Sequence, residues 1–271
     1  MAHICDTLSI SRAAYYAWKA RIPGARALTD EELRPVIQNI FLQHRRRYGA
    51  RRIVKELQSM GYECSRSKAR KIMVQMNLVA IQPRSFKPRT TASKHRLGYN
   101  PNLLIEGVEV TRWNQVWVGD ITYVGLQSQF AYLALLMDLY SRKIVGWALD
   151  LTMAESLVLS TLQQAIRQRQ PAPGLIHHTD RGGQYAGSDY RAVLARAQMR
   201  QSMSRAGDCY DNAFMESCFG TIKTELEMTS YQFLNHAKRE IEEYINYYNA
   251  IRRHSSLNYL SPTSFELAQK N

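Results

Sequence analysis

Trp117-Val118-Gly119-Asp120-Ile121-Thr122-Tyr123 is the stretch on which the fold turns. Its apolar residues fall on both sides of a period-two alternation, so the expected strand is covered on both faces and Asp120 is an acid in a strand interior. Such a carboxylate is costly unless it has a partner, and either a core arginine or bound cations would satisfy it. The run belongs to the first of three expected strands, over 116–123, 130–139 and 143–149, with Gly125, Gln127, Ser128 and Ser141 marking the bounds. Three antiparallel strands follow from this pattern. Downstream the period changes to a helix over 154–169, a short strand at 174–178, a helix around 190–198, a strand at 200–203, and helices over 212–226 and 231–250. Strands first, then alternating helices, describe an α/β mixed sheet with flanking helices.

Upstream of this sheet the chain changes in kind. Residues 1–98 hold 20 basic and 6 acidic side chains, a surplus of +14, whereas the remainder is at −1 within a total of +13. A polyanion is the natural partner of the first part, since each cation that neutralises a phosphate releases condensed counterions. Ser9 or Ser11 caps an expected short helix to about Ala20. Asp30 caps one carrying Leu33, Val36, Ile37, Ile40 and Phe41 and ending near His44. A helix from Ala50 to Met60 stops at Gly61, and another runs from Ser65 or Ser67 to Met76. Short helices with a tight glycine turn suggest an all-α helix-turn-helix region. Arg45, Arg46, Arg47, Arg51 and Arg52 flank Tyr48 and Gly49 at a helix start, so several guanidinium groups reach a phosphate backbone together. Lys68, Arg70 and Lys71 on the next helix are the groove-facing candidates. A charge run also suits a solvated face, but the size of the surplus favours DNA. With Pro83, Pro88, Pro101 and five basic residues, the following stretch has no amphipathic period. The expected organisation is a helical DNA-binding region over 1–79, a basic linker over 80–108 and a catalytic domain over 109–271.

Composition narrows the classes further. At 271 residues, with 45% hydrophobic and 22% charged, the chain is a folded protein. No apolar run approaches the roughly 18 residues that span a bilayer, and Asp6, Ser9, Ser11 and Arg12 interrupt the start, so neither membrane insertion nor export is expected. Cys5, Cys64, Cys209 and Cys218 fit neither zinc-ligand spacing nor a compact disulfide framework, and reduced thiols of a cytoplasmic protein are expected.

Two further acids join Asp120. Asp180 ends the strand-like part of His177-His178-Thr179-Asp180-Arg181-Gly182-Gly183-Gln184-Tyr185, and strand ends of this kind are where open sheets bind ligands. Glu216 lies on an expected helix with Phe214, Ile222 and Leu226 on one face, and about two turns later Lys223 returns above it. Singly, a helical glutamate is ordinarily solvated and an aspartate after a strand is ordinarily a turn residue or a cap. Together the three supply what holds two hard divalent cations through oxygen. His178 shares the strand face of Asp180 while His177 points the other way. Either histidine is a candidate for orienting a carboxylate or scissile phosphate, and Asn212, one turn before Glu216, for joining the same face, although packing and helix capping explain them as well. For Arg252, Arg253 and His254, compensation of a helix dipole is a sufficient reading.

The segments WVGDITY, HHTDRGGQY and DNAFMESCFGTIKTEL, with 35 residues between Asp180 and Glu216, resemble the DDE core of retroviral-integrase-type transposases. More narrowly the chain resembles the second-frame (OrfB) product of bacterial insertion sequences, through Tyr48-Gly49-Ala50-Arg51-Arg52-Ile53, Tyr247-Tyr248-Asn249 and Arg252-Arg253-His254-Ser255-Ser256-Leu257 as well. The resemblance implies a ribonuclease-H-like fold, with Asp120, Asp180 and Glu216 as ligands of two Mg2+ or Mn2+ ions per active site and Lys223 as a contact to the transposon end. It also implies cleavage and strand transfer without a covalent enzyme intermediate. One ion activates first water and later a DNA 3′-hydroxyl, and the other stabilises the leaving oxygen of an in-line displacement. Asp120, on the rigid central strand, would bridge the ions. The implied partners are double-stranded DNA at transposon ends and target, further protomers assembled on that DNA, and the upstream-frame helix-turn-helix protein or its frameshift fusion. Two other readings keep the same fold: a DNA-binding regulator of transposition without chemistry, which the full triad disfavours, and a metal-dependent nuclease that cuts without joining.

Overall fold

The computed structural model describes residues 25–82, 99–105, 107–205, 213–227 and 231–269, with seven scattered positions between 5 and 19. The chain divides into two compact units, Met1–Ala80 and Ile81–Asn271. Most of the helix expected over 9–20, residues 83–98 of the stretch read as a linker, and Cys209 lie outside the described residues. Cys5, Cys64 and Cys218 are buried free thiols.

The first unit is built from α1 (Ala25–Gln43), α2 (Ala50–Ser59) and α3 (Arg66–Gln75). Their apolar residues recur three and four apart, and Leu33, Ile37, Ile40, Phe41, Ile53, Leu57, Ala69 and Ile72 are buried. Ser65 caps α3 by accepting from the Lys68 amide at 3.2 Å. Asp30 does not cap α1, contrary to expectation. The helix starts at Ala25, where Ala, Arg, Ala and Leu favour helix strongly, and the Asp30 carboxylate instead pairs with Lys68 Nζ at 2.9 Å.

The second unit is a five-stranded sheet of β1 (Val116–Gly125), β2 (Phe130–Asp138), β3 (Ile144–Asp150), β4 (Ile176–Thr179) and β5 (Arg200–Met203), in the order β3-β2-β1-β4-β5. The first three strands are antiparallel, and β4 and β5 run parallel to β1, the mixed ribonuclease-H-like arrangement. Alternation along β1 sorts its side chains into two layers. Val116, Val118 and Val124 join Leu133 and Leu135 against α7 (Ala213–Glu225) and α8 (Leu234–Ala250). Trp117, Ala134 and Leu136 face the other layer, where α4 (Glu155–Arg169), α5 (Gly183–Ala186) and α6 (Ser188–Arg196) lie.

The helix expected from about 190 begins earlier, at Ser188, because a residue distant in the chain supplies its cap: Glu155 Oε1 accepts from the Tyr190 amide at 2.9 Å. Helix α9 (Pro262–Ala268) was not expected, although Ser261 and Pro262 form a recognisable start, with Ser261 accepting from the Ser264 amide. Its Glu266 is held by a bidentate pair with Arg169, at 2.7 and 2.9 Å.

Gly146 marks the closest approach of α4 to β3. A Cβ there would stand 2.5 Å from the Thr161 carbonyl oxygen and 3.0 Å from Ala165 Cβ. Gly146→Ala should therefore lift the helix and cost about 1–3 kcal/mol of unfolding free energy in a denaturant titration. An unchanged midpoint would show that the contact yields freely.

Candidate active site

The three acids come from three elements, β1, the end of β4 and α7. Gly119 lets β1 lie close to its neighbours, since a Cβ there would meet Leu136 Cδ2 at 2.7 Å and His177 Cε1 at 3.2 Å. The next residue, Asp120, turns to the α7 side and its Oδ1 accepts from the Ile121 amide at 2.8 Å. Parallel pairing of Val118 with His178 carries Asp180, just past the end of β4, alongside Asp120. Asp180 Oδ1 accepts from the Gly182 amide at 2.9 Å, which fixes the turn after the strand. Glu216 stands exposed in the first turn of α7.

Burial, and then the adjacent Asp180, push the Asp120 carboxyl up to about 8; Glu216 adds to the rise, while the Ile121 amide and Lys223 oppose it. Lys223 Nζ lies 4.9 Å from the Tyr123 ring centroid, and burial depresses its ammonium while Asp120 supports it. Among the described residues no three His, Cys, Asp or Glu side chains stand in a metal-coordinating arrangement. Carboxylates without positive charge between them repel one another, and hard oxygen donors with excess negative charge fit divalent cations such as Mg2+ or Mn2+.

Both histidines are fully buried, on opposite faces as the alternation requires. His178 Nδ1 meets Ser202 Oγ at 2.8 Å, and that oxygen also accepts from the Leu103 amide at 3.0 Å. His177 Nε2 meets Tyr190 OH at 2.6 Å in the opposite layer. Asn212 lies outside the described residues.

Three features escaped the sequence reading. Tyr185 is buried in the layer of α4, α5 and α6, and burial first, then the charges of Asp120 and Asp180, raise its phenol well above the ordinary value. Its position in GGQY was the only hint. Arg181, next to Asp180, donates from Nε to the Ser204 carbonyl at 2.8 Å and lies 4.7 Å from the Tyr99 ring centroid. Arg252 is not a solvated cation answering a helix dipole. It is buried and donates from Nε and Nη2 to Glu225, a partner that no local pattern reveals.

In the first unit, Arg45 and Arg46 are exposed at φ 48° and 63°, a left-handed turn at the end of α1. Tyr48 anchors that turn, buried and stacked on His44 at 3.7 Å, with the Arg52 guanidinium 5.4 Å from its ring centroid and Arg52 Nη1 donating to the Arg47 carbonyl. Arg51, Arg70 and Lys71 are exposed, whereas Lys68 is engaged with Asp30.

Residues 28–86 match the family model of an HTH-like domain, and residues 110–209 and 197–262 match two models of an integrase core domain. The insertion element IS600 uncharacterized 31 kDa protein of Shigella sonnei is 40% identical over 265 residues, covering 97% of each chain. The transposase for insertion sequence element IS904 of Lactococcus lactis is 40% identical over 248 residues, covering 91% of this chain and 98% of that one. Transposase InsF for insertion sequence IS3A of Escherichia coli is 36% identical over 269 residues, covering 97% and 92%. Among solved structures, the HTLV-2 integrase catalytic core domain in complex with magnesium superposes at TM-score 0.46 and 16% identity, covering 56% of this chain and 96% of that one. An integrase core preceded by an HTH-like region defines a class of DNA-transferring enzymes, the DDE-type polynucleotidyl transferases. Within that class, this chain belongs to the insertion-sequence transposase family. No helix of the described residues is long and apolar enough to cross a membrane.

Proposed function

We propose that the protein cuts DNA at the ends of its insertion sequence and joins those ends to a target, with Asp120, Asp180 and Glu216 holding two Mg2+ or Mn2+ ions. What supports this reading is that Asp180, just past a strand end, and Glu216, on a helix, both raise the carboxyl of Asp120 on the central strand. When bound, the ions supply activation of the attacking oxygen and stabilisation of the leaving one.

The chain's own residues do the positioning. Asp120, on the central strand, is the fixed member, and Asp180 is locked by the Gly182 amide. Glu216, exposed on its helix, is free to turn toward the others. Lys223 presents an ammonium to the phosphate backbone of the transposon end, and Gly182 and Gly183 let that backbone come close. His178 is a candidate for orienting the Asp180 turn through β5, and Asn212 for supporting Glu216. The Arg45–Arg47 turn with Arg51, Arg52, Arg70 and Lys71 engages double-stranded DNA, with Lys68 contributing chiefly through its pair with Asp30. Two ends require at least two protomers, so the enzyme works as a homo-oligomer on DNA in the cytoplasm, with the upstream-frame protein or its fusion as a further partner.

The test incubates the full-length protein with oligonucleotides carrying the element's ends and a labelled target, with Mg2+ or Mn2+. Nicked ends with free 3′-hydroxyls and joined products are expected. Binding without any product from either the chain or its frameshift fusion would favour a regulator. Nicks that never join would favour a nuclease.

A further inference from the structure

Helix α7 carries both Glu216 and Lys223, and two arginines from elsewhere in the unit hold its ends. At the start, the guanidinium carbon of Arg142, in the turn between β2 and β3, lies 4.3 Å from the ring centroid of Phe214, a residue 43% exposed. The Arg142 backbone has φ 59°, a left-handed conformation that costs energy for a residue with a Cβ. Strain of this kind persists where the surroundings fix it. At the far end Glu225, 8% exposed, accepts from Arg252 Nη2 at 2.7 Å, from Arg252 Nε at 2.9 Å and from Tyr244 OH at 2.9 Å. Arg252 is 5% exposed, with its guanidinium 5.5 Å from the Tyr248 ring centroid and 3.3 Å from His254 Nε2.

Between these ends the buried face of α7 is apolar: Met215, Cys218, Phe219 and Ile222. Apolar contact is non-directional and by itself tolerates sliding. A forked pair between guanidinium and carboxylate accepts one geometry. Stability alone is a poor reason for burying such a pair, because well-packed apolar residues of similar volume do as well or better. Placement is the better reason. One residue of slip along a helix is about 1.5 Å, and a misplacement of about 1 Å can cost a hundredfold in rate.

We propose that Arg142 and Arg252 are positioning residues that set the axial placement of α7, and through it the reach of Glu216 and Lys223 toward Asp120. The inference rests on the reading of Asp120, Asp180 and Glu216 as the catalytic acids. The test uses the full-length protein as Glu225→Gln/Arg252→Met, which removes both buried charges together, and as Arg142→Met, which leaves the buried pair intact. Each variant should keep its Tm within about 5 °C, while kcat for cleavage falls at least about tenfold and KM for the DNA end rises because Lys223 moves with the helix. Amide hydrogen exchange should quicken in α7 and stay unchanged in β1. The proposal is overturned if kcat stays within about twofold of the parent, or falls only as far as the folded fraction falls. The exchange measurement needs no catalysis. If the parent itself cuts no DNA, the functional reading fails, while faster exchange confined to α7 still supports the positioning role and unchanged exchange there refutes it.

Discussion

Asp120→Asn should lower metal-dependent cleavage and joining by on the order of a thousandfold or more, while the protein still folds and still binds transposon ends. The amide keeps the size of the carboxyl and one oxygen, but loses the charge that would balance the cations. Ions at such a site supply several kcal/mol of transition-state stabilisation, and each ~1.4 kcal/mol is a factor of ten in rate. Stability should move the other way. Burial and two neighbouring acids disfavour the Asp120 carboxylate in the metal-free protein, and the neutral isostere removes that repulsion. The expected pattern is therefore a Tm equal to or above the parent's, unchanged DNA affinity, and no product. Product formed at the parent's rate would remove Asp120 from the site. Loss of activity together with loss of folding would mean that the acid serves the strand rather than the chemistry.

How much of this was legible depended on how local each determinant is. The β-branched and aromatic run around Asp120 marks a central strand without help from elsewhere, and the five strands of the sheet lie where strands are expected, while their order β3-β2-β1-β4-β5 is set by pairing that no local pattern gives. The three candidate acids stand out because each sits at a readable point: a strand interior, a strand end and an apolar-faced helix. What was missed depends on partners far along the chain. Asp30 looked like a cap until Lys68 claimed it, α6 takes its cap from Glu155 on another helix, and Arg252 reads as a terminal cation until Glu225 is beside it. In each case the local signal was present and a tertiary contact outweighed it. Tyr185 is missed for a related reason, since nothing in a strand-turn pattern says that this tyrosine is buried within reach of the charges of Asp120 and Asp180.

His177 offers a test of the layer behind the site through pH. Its ring is fully buried among Tyr185 and Tyr190, the Trp117 backbone faces it, and His178, whose ring points to the opposite face of the sheet, acts on it only electrostatically. Burial, reinforced by His178, holds the imidazole down to about 3 against an ordinary value of 6.5. Above pH 6.5 the folded and unfolded chains are both neutral at this position, and the residue's contribution to stability is complete. Below it the unfolded chain takes up a proton that the folded one refuses, so stability drains away as pH falls from 6.5 toward 3. Between pH 6.5 and 4.5 the loss assigned to this one group is about 2 kcal/mol. His177→Gln does not titrate, and its amide is able to bond the Tyr190 hydroxyl in place of the ring nitrogen. At pH 7 the variant should be less stable than the parent, because it packs less well against two tyrosine rings. On acidification that deficit should shrink by about 2 kcal/mol over the same interval in paired urea titrations, the carboxylates being common to both proteins and cancelling in the difference. A deficit that stays constant with pH would show that the ring accepts a proton in the folded state, and would place solvent or a counter-charge in the layer beneath β4.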